Sequence, residues 1–298
     1  MSSPRFGRLL TAMVTPFNED GSINFDEASK LAKWLVAEGN EGLVIAGSTG
    51  EGSSLSDEEK LDLFACVAEA VSVPVLAGST SADTAKSVEL TSKVAATGVA
   101  GVLATTPAYA RPSQHGIELH LGACADATTL PVMLYDIPSR TGRKIASATT
   151  ESLVRSHSNI IALKDASADL TGAAHLKQVL GDSLDLYSGD DSLLLDFLAI
   201  GAVGVVSVAG HWCSREFISL IDAFSSGDLE KARAINEILA PSCAFEGTEL
   251  YPNPMPSKAV LRSLGHAVGE CRLPHSPSDN ILNEQAVAIL SALKASRG

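Results

Sequence analysis

Cysteine is scarce and unpatterned in this 298-residue chain. The five cysteines (Cys66, Cys124, Cys213, Cys243 and Cys271) are odd in number and form no Cys-x-x-Cys pair. That spacing predicts reduced, mostly buried thiols rather than a disulfide framework. The seven histidines form no His-Glu-x-x-His motif and no Cys/His cluster, so no metal site is expected. No apolar run reaches the roughly 18 residues of a membrane helix. The stretch MSSPRFGRLL lacks the apolar segment of a secretory signal, and the expected compartment is the cytoplasm. Positive charge is short too. Lys and Arg number 22 against 35 Asp and Glu, a formal net charge of −13. A nucleic-acid backbone would be repelled over most of such a surface, so neither nucleic acid nor membrane is an expected partner.

What is present is a regular beat. Hydrophobic residues make up 45% and charged residues 19%, ordinary for a soluble enzyme. The length suits one large domain or two small ones, able to hide about three-quarters of the unfolded surface. Short apolar runs recur: LLTAMVTP from 9, GLVIAG from 42, PVLAGS from 74, GVLATTP from 101, PVMLYD from 131, IIALKD from 160, LDLYSG from 184 and GVVSVAG from 204. The runs are nearly continuous rather than alternating, as strands covered on both faces should be.

Helical patterns lie between them. Phe25, Ala28, Leu31, Ala32, Leu35 and Val36 make one helical face, with Asn24 and Glu27 as an N-cap pair. Ser56 and Glu59 form a capping box, Gly98 ends a helix begun near Ser81, and Ser113 caps another. Eight strands with helices between them predict an α/β fold of the (β/α)8 TIM-barrel type. The doubly wound alternative usually opens on a glycine-rich turn, and the first turn here, VTPFNEDGS, has no G-x-G-x-x-G. The barrel is expected over residues 1–225. Residues 226–298 read as a helical extension packed on it, from GDLEKARAINEILAP, NPMPSKAVLRSLG and NEQAVAILSALKAS.

Barrel chemistry lies at the C-terminal ends of the strands. Those ends carry GSTGEG (47–52), Tyr109, Tyr135, Arg140 and Lys164. Lys164 closes an apolar strand, and Asp165, one residue on, points to the opposite face. A lysine without a partner in an apolar barrel has its pKa lowered, and a neutral amine attacks carbonyls to give a Schiff base. The alternative is a core lysine paired with a carboxylate. Tyr135, one strand away, is either packing or a proton shuttle for such an amine. Tyr109 is a second shuttle or a loop aromatic. GSTGEG is a tight turn, or a nest whose N–H groups and Ser48 and Thr49 hydroxyls hold a carboxylate. Arg140 is a surface cation or a carboxylate clamp. His120, His211 and Trp212 read as packing residues, and Glu51 as an anchor of its own loop.

GSTGE, TPAYARPSQ, YDIPSRTG and LKDAS come in order, followed by YSGDD and GVVSV. On these motifs the chain resembles the dihydrodipicolinate synthase and N-acetylneuraminate lyase family over almost its whole length. The resemblance implies a barrel with a C-terminal helical extension that uses pyruvate as a lysine-bound imine, without metal or organic cofactor. YDIPSRTG and PSQ are similar to the synthase branch, which condenses pyruvate with L-aspartate 4-semialdehyde in lysine biosynthesis. The implied roles are an imine on Lys164 and a proton relay through Tyr135, Ser48 and Tyr109. Thr49 would hold the pyruvate carboxylate and Arg140 the semialdehyde, while Gly189 and Val206 would offer backbone carbonyls. The second tyrosine of the family crosses a subunit interface, which implies a homotetramer built as a dimer of dimers. Ala82, Lys86 and Ala108 stand where lysine-inhibited members carry Asn, Glu and Tyr, which implies weak or absent inhibition by lysine. Two rivals remain open: a sugar-acid lyase of the same family, which should not need Arg140, and a non-catalytic keto-acid-binding barrel.

Overall fold

In the computed structural model, which describes residues 4–297, all eight apolar runs are strands. They are β1 (Leu9–Ala12), β2 (Gly42–Ile45), β3 (Val75–Gly78), β4 (Gly101–Thr105), β5 (Val132–Asp136), β6 (Ile160–Asp165), β7 (Asp185–Ser188) and β8 (Gly204–Ser207). The strands are parallel and follow chain order around a closed barrel, with Leu10 of β1 facing Val206 of β8 across the seam. Alternation along each strand sorts the side chains into two layers. Leu10, Val44, Leu103, Met133, Ala162 and Val206 fill the interior. Leu43, Val75, Val102, Leu134 and Leu163 pack outward beneath the helices.

The outer ring holds α1 (Phe25–Ala37), α2 (Asp57–Ala70), α3 (Thr84–Val94), α4 (Gln114–Asp126), the single turn α5 (Pro138–Thr141), α6 (Ser147–Ser156), α7 (Leu170–Leu180), α8 (Leu194–Ala199) and α9 (Ser214–Ser225). The caps follow the sequence. Ser56 Oγ accepts from the Glu59 N–H at 3.1 Å while the Glu59 carboxylate accepts from the Ser56 N–H at 2.8 Å. Ser113 accepts from the Gly116 N–H at 3.2 Å. Gly98 takes φ +81°, the left-handed conformation that ends a helix cheaply only with glycine. On α1 the buried stripe is narrower than the pattern predicts. Phe25 is exposed and Val36 half-buried, whereas Glu27 is buried because its carboxylate meets His266 Nδ1 at 3.0 Å.

Three further helices follow: α10 (Leu229–Phe245), α11 (Met255–Ser263) and α12 (Asn280–Ser296). α10 continues through Pro241, where the sequence pattern predicts an end, and reaches Phe245. Leu239, Met255, Ala259 and Leu282 share one apolar cluster with Leu9 of β1, Val205 of β8 and Phe217 of α9. The extension thus covers the outside of the seam where the barrel closes. It also brings the segment between α10 and α11 to the mouth of the barrel. No helix among the described residues is long and apolar enough to cross a membrane.

Candidate active site

Lys164 and Tyr135 are register neighbours on β6 and β5, and both are buried. The Lys164 ammonium lies over the Tyr135 ring, 4.3 Å from its centre. Burial pulls the Lys164 pKa down to about 8, against the opposing pull of Asp191 and Glu246, and the Arg140 charge lowers it further. The amine therefore reaches its neutral, nucleophilic form far more readily than a solvated lysine. Burial pushes the Tyr135 phenol upward, partly offset by Arg140 and by a hydrogen bond with Ser48. Tyr135 stays a protonated phenol at neutral pH, able to give and take protons through Ser48.

Gly189 is needed here for space. A Cβ on it would come within 3.0 Å of Lys164 Cγ and 2.9 Å of the Ala166 Cβ. Its N–H donates to the Asp165 carbonyl at 2.7 Å, which fixes the turn after β7 beside the lysine stem. Val206 is fully buried in β8, in the same interior layer as Tyr135.

The GSTGEG loop rises from β2. Glu51 adopts φ +53°, and the Gly52 N–H donates back to the Gly47 carbonyl at 3.0 Å. A Cβ on Gly52 would lie 2.0 Å from the Ala46 carbonyl oxygen, so the fold of this loop requires glycine there. Thr49 is buried, and its Oγ1 accepts a hydrogen bond from Asn253 Nδ2 at 2.9 Å. That leaves the Thr49 proton free for a bound carboxylate. The carbonyl of Asn253 in turn accepts from Arg140 Nη2 at 3.2 Å. Asn253, in the segment between α10 and α11, joins two residues that sequence reading singled out separately.

Tyr109 is the exception among the expected site residues. Its side chain is 97% exposed, at φ +69°, in the loop after β4. A cavity of about 570 Å3 over the mouth is lined by Ser48, Lys60, Ala82, Ala108, Arg140 and His275, among others, and Tyr109 is not part of that lining. Lys86, expected near Ala82 and Ala108, is exposed in the first turn of α3 and also stays outside it. Lys60 takes the place beside them. A larger cavity, about 750 Å3, lies between the β1–α1 loop and the chain after α11. Its cations are engaged. Arg272 holds Glu59 and the Ser54 and Gly21 carbonyls, Arg262 holds the Gly269 carbonyl and Ser278, and His266 holds Glu27. The reactive groups converge at the barrel mouth instead.

Sequence reading missed Asn253, Lys60, Asp191 and Glu246. Asp191 stands in the quoted YSGDD motif, and Asn253 in NPMPSKAVL, so a signal was present for both; Glu246 has none. His211 and Trp212 behave as packing residues with satisfied polar atoms, whereas His120, also buried, has a partner on Nδ1 but none on Nε2 among the described residues. His211 accepts from the Val14 N–H at 3.1 Å through Nε2 and faces the Val208 carbonyl at 2.7 Å through Nδ1, and burial lowers its pKa to about 4. Trp212 Nε1 donates to Ser242 at 3.0 Å, and His120 Nδ1 pairs with Thr84 at 2.9 Å. Among the described residues the five cysteines are free, two buried and three half-buried.

Residues 5–293 match the Dihydrodipicolinate synthetase family. The chain belongs to that family. It is 44% identical over 276 residues to the 4-hydroxy-tetrahydrodipicolinate synthase of Desulforamulus reducens, covering 92% of this chain and 93% of that one. Among solved structures it superposes on the dihydrodipicolinate synthase of Cyanidioschyzon merolae with lysine bound, at a TM-score of 0.94 and 37% identity over 97% and 98% of the two chains. The chloride-inhibited enzyme of Acinetobacter baumannii complexed with pyruvate matches at a TM-score of 0.91 and 29% identity, over 97% and 99%. The family and the barrel expected from the ordered motifs therefore both hold.

Proposed function

We propose that the chain condenses pyruvate with L-aspartate 4-semialdehyde to 4-hydroxy-tetrahydrodipicolinate, through an imine on Lys164. The observation that carries this reading is the buried Lys164 amine, its pKa lowered to about 8 and its nitrogen over the Tyr135 ring. The neutral amine adds to the pyruvate ketone to give a carbinolamine, which loses water to form the imine. Loss of a methyl proton gives the enamine, with the imine nitrogen as electron sink. The enamine carbon attacks the aldehyde carbon, and the aldehyde oxygen takes a proton. The amino group of the second substrate then attacks the imine carbon, closes the ring and releases Lys164.

In this scheme Tyr135 moves protons to and from the carbinolamine, relayed by Ser48 and by Tyr109 of a second subunit. Thr49 and the loop N–H groups hold the pyruvate carboxylate, and Arg140 the carboxylate of the semialdehyde. The Gly189 and Val206 carbonyls flank the reacting centre. The full exposure of Tyr109 supports a role outside its own subunit, and with it a homotetramer arranged as a dimer of dimers. We assign the enzyme to the cytoplasm, with no cofactor beyond covalently bound pyruvate, and treat residues 226–298 as an extension that completes the mouth of the 1–225 barrel.

The test is turnover of pyruvate plus L-aspartate 4-semialdehyde, followed through a coupled nicotinamide-dependent reductase, with borohydride trapping of pyruvate in parallel. Turnover and trapping that both vanish in Lys164→Ala support the assignment. Trapping on Lys164 without turnover of the semialdehyde would move the substrate to a sugar acid. Trapping at another lysine would refute the imine assignment.

A further inference from the structure

A second titratable cluster lies behind Lys164. Asp191 follows β7 and Glu246 caps the C-terminus of α10, and the two carboxyls are in hydrogen-bonding contact. Asp191 Oδ2 is crowded with donors: the Ser207 hydroxyl at 2.8 Å, the Val208 N–H at 3.0 Å and the Ala209 N–H at 2.7 Å. Asp191 Oδ1 and Glu246 Oε2, by contrast, are both buried and lack a donor among the described residues. Two ionised carboxylates in contact in a dry site repel strongly, and each orphaned oxygen adds its own desolvation cost. One proton between them removes both difficulties.

We propose that Glu246 and Asp191 share a single proton, carried by Glu246 and donated to Asp191 Oδ1, and that this proton sets the charge beside the Lys164 amine. Two independent features place the proton on Glu246. Asp191 Oδ2 already accepts three donors and has no room for a further proton, whereas Glu246 Oε2 has no donor. Glu246 sits where the carbonyl end of the 17-residue helix α10 disfavours negative charge. The groups facing the pair agree with this. Asp190 adds a further negative charge, the Cys243 and Cys213 thiols are neutral, and the Lys164 amine lies within the field of both carboxyls. Burial and these carboxylates hold the Glu246 pKa well above the usual carboxylate range.

The consequence falls on Lys164, the imine-forming residue of the function proposed above. A pair with one proton presents one negative charge to the amine, where an unprotonated pair would present two and favour its protonated form more strongly. Glu246 is thus a positioning residue for charge, acting through Asp191 without touching substrate.

Two measurements test this. The first is the infrared spectrum of the substrate-free protein at pH 7, compared with Glu246→Gln. A protonated-carboxyl carbonyl band that shifts in D2O and disappears in Glu246→Gln is expected; the Asp136 carboxyl supplies a separate band that should persist. The second is the pH midpoint of borohydride-trapped imine formation. Because glutamine is as neutral as the protonated glutamate, Glu246→Gln should leave the midpoint within about 0.3 units, whereas Asp191→Asn should lower it by about one unit through loss of a nearby charge. A spectrum without the Glu246 band, or a midpoint in Glu246→Gln lowered as far as in Asp191→Asn, overturns the proposal. The wild-type spectrum decides even if Asp191→Asn fails to fold. Absence of any imine on Lys164 would instead sink the proposed function and leave the spectroscopic result standing.

Discussion

The Lys258 ammonium lies 2.7 Å from Oε1 of Glu51, off the ideal hydrogen-bond direction, with both side chains shut away from solvent. Lys258 also donates to the Glu270 carbonyl at 3.0 Å and sits 4.2 Å from the Phe17 ring centre. Glu51 Oε2 accepts the Arg272 N–H at 2.8 Å. The loop that carries Ser48 and Thr49 is thereby clamped to the C-terminal extension. Breaking a buried pair by removing one partner leaves a lone charge and costs about 3–5 kcal/mol. Lys258→Met should therefore lower denaturant-measured stability by that amount and raise the KM for pyruvate, because the loop proposed to hold the pyruvate carboxylate loses its anchor. The double variant Glu51→Gln/Lys258→Met should recover most of the stability. Additive losses in the double-mutant cycle would show that the pair does not act as a clamp.

Asn253 makes a narrower prediction. Its side-chain amide holds Thr49, but its contact with Arg140 runs through the backbone carbonyl. Asn253→Ala removes the first and keeps the second. The KM for pyruvate should rise about three- to tenfold, the effect of one hydrogen bond, while the KM for the semialdehyde changes little. Steady-state titration of each substrate separately checks this. An equal rise in both constants would mean that the whole segment had moved.

The division between what was legible and what was not is physical. The strands were legible because a parallel barrel strand is apolar on both faces, as at GLVI (42–45) and IALK (161–164). Lys164 stood out because a cation at the end of such a run contradicts its surroundings. The caps at Ser56 and Ser113 were legible because they depend only on neighbours three residues away. The clamp and the Asn253 bridge were not, because their partners lie 207 and 204 residues apart in the chain (258 − 51 and 253 − 49). Glu51 could be read as an anchor, but its partner could not. Helix α10 outran its pattern at Pro241 because local signals favoured a stop that packing against α9 overrides.

Asp136 gives a pH prediction independent of catalysis. It is buried on the outer face of β5, its Oδ1 accepting from the Ile145 N–H at 3.0 Å. Burial raises its pKa to about 7, with Asp165 on the neighbouring strand adding to the effect. The unfolded chain ionises this group near the ordinary carboxylate value, about 3.9. Between the two values the native state binds a proton that the unfolded state does not, so this group's contribution to stability falls as pH rises across that window. Asp136→Asn keeps an acceptor for Ile145 without the titration. The variant should match wild type near pH 4 and exceed it at pH 8 by about 4 kcal/mol. Parallel melts at the two pH values measure the difference, and a pH-independent offset would contradict the assignment.

We expect inhibition by lysine to depend on Lys60, which lines the mouth cavity where Lys86 does not. The Lys60 side chain is 6% exposed and lines the mouth cavity with Ala82 and Ala108. Its nearest carboxylate oxygen is Asp57 Oδ1 at 3.9 Å, and burial lowers its pKa. A lysine molecule entering this cleft would set its own ammonium against the Lys60 head group, with alanines where polar partners would be needed. The Cyanidioschyzon merolae relative was solved with lysine bound, so the fold tolerates such a ligand. Initial rates for this enzyme should therefore stay within twofold of the uninhibited value throughout the sub-millimolar range of lysine. Lys60→Gln removes the repulsion without adding a carboxylate and should strengthen whatever lysine binding remains. Potent inhibition of the wild type would mean that the inhibitor binds elsewhere or that Lys60 is displaced from the cleft; an unchanged response in Lys60→Gln would show that the alanines, not the charge, exclude it.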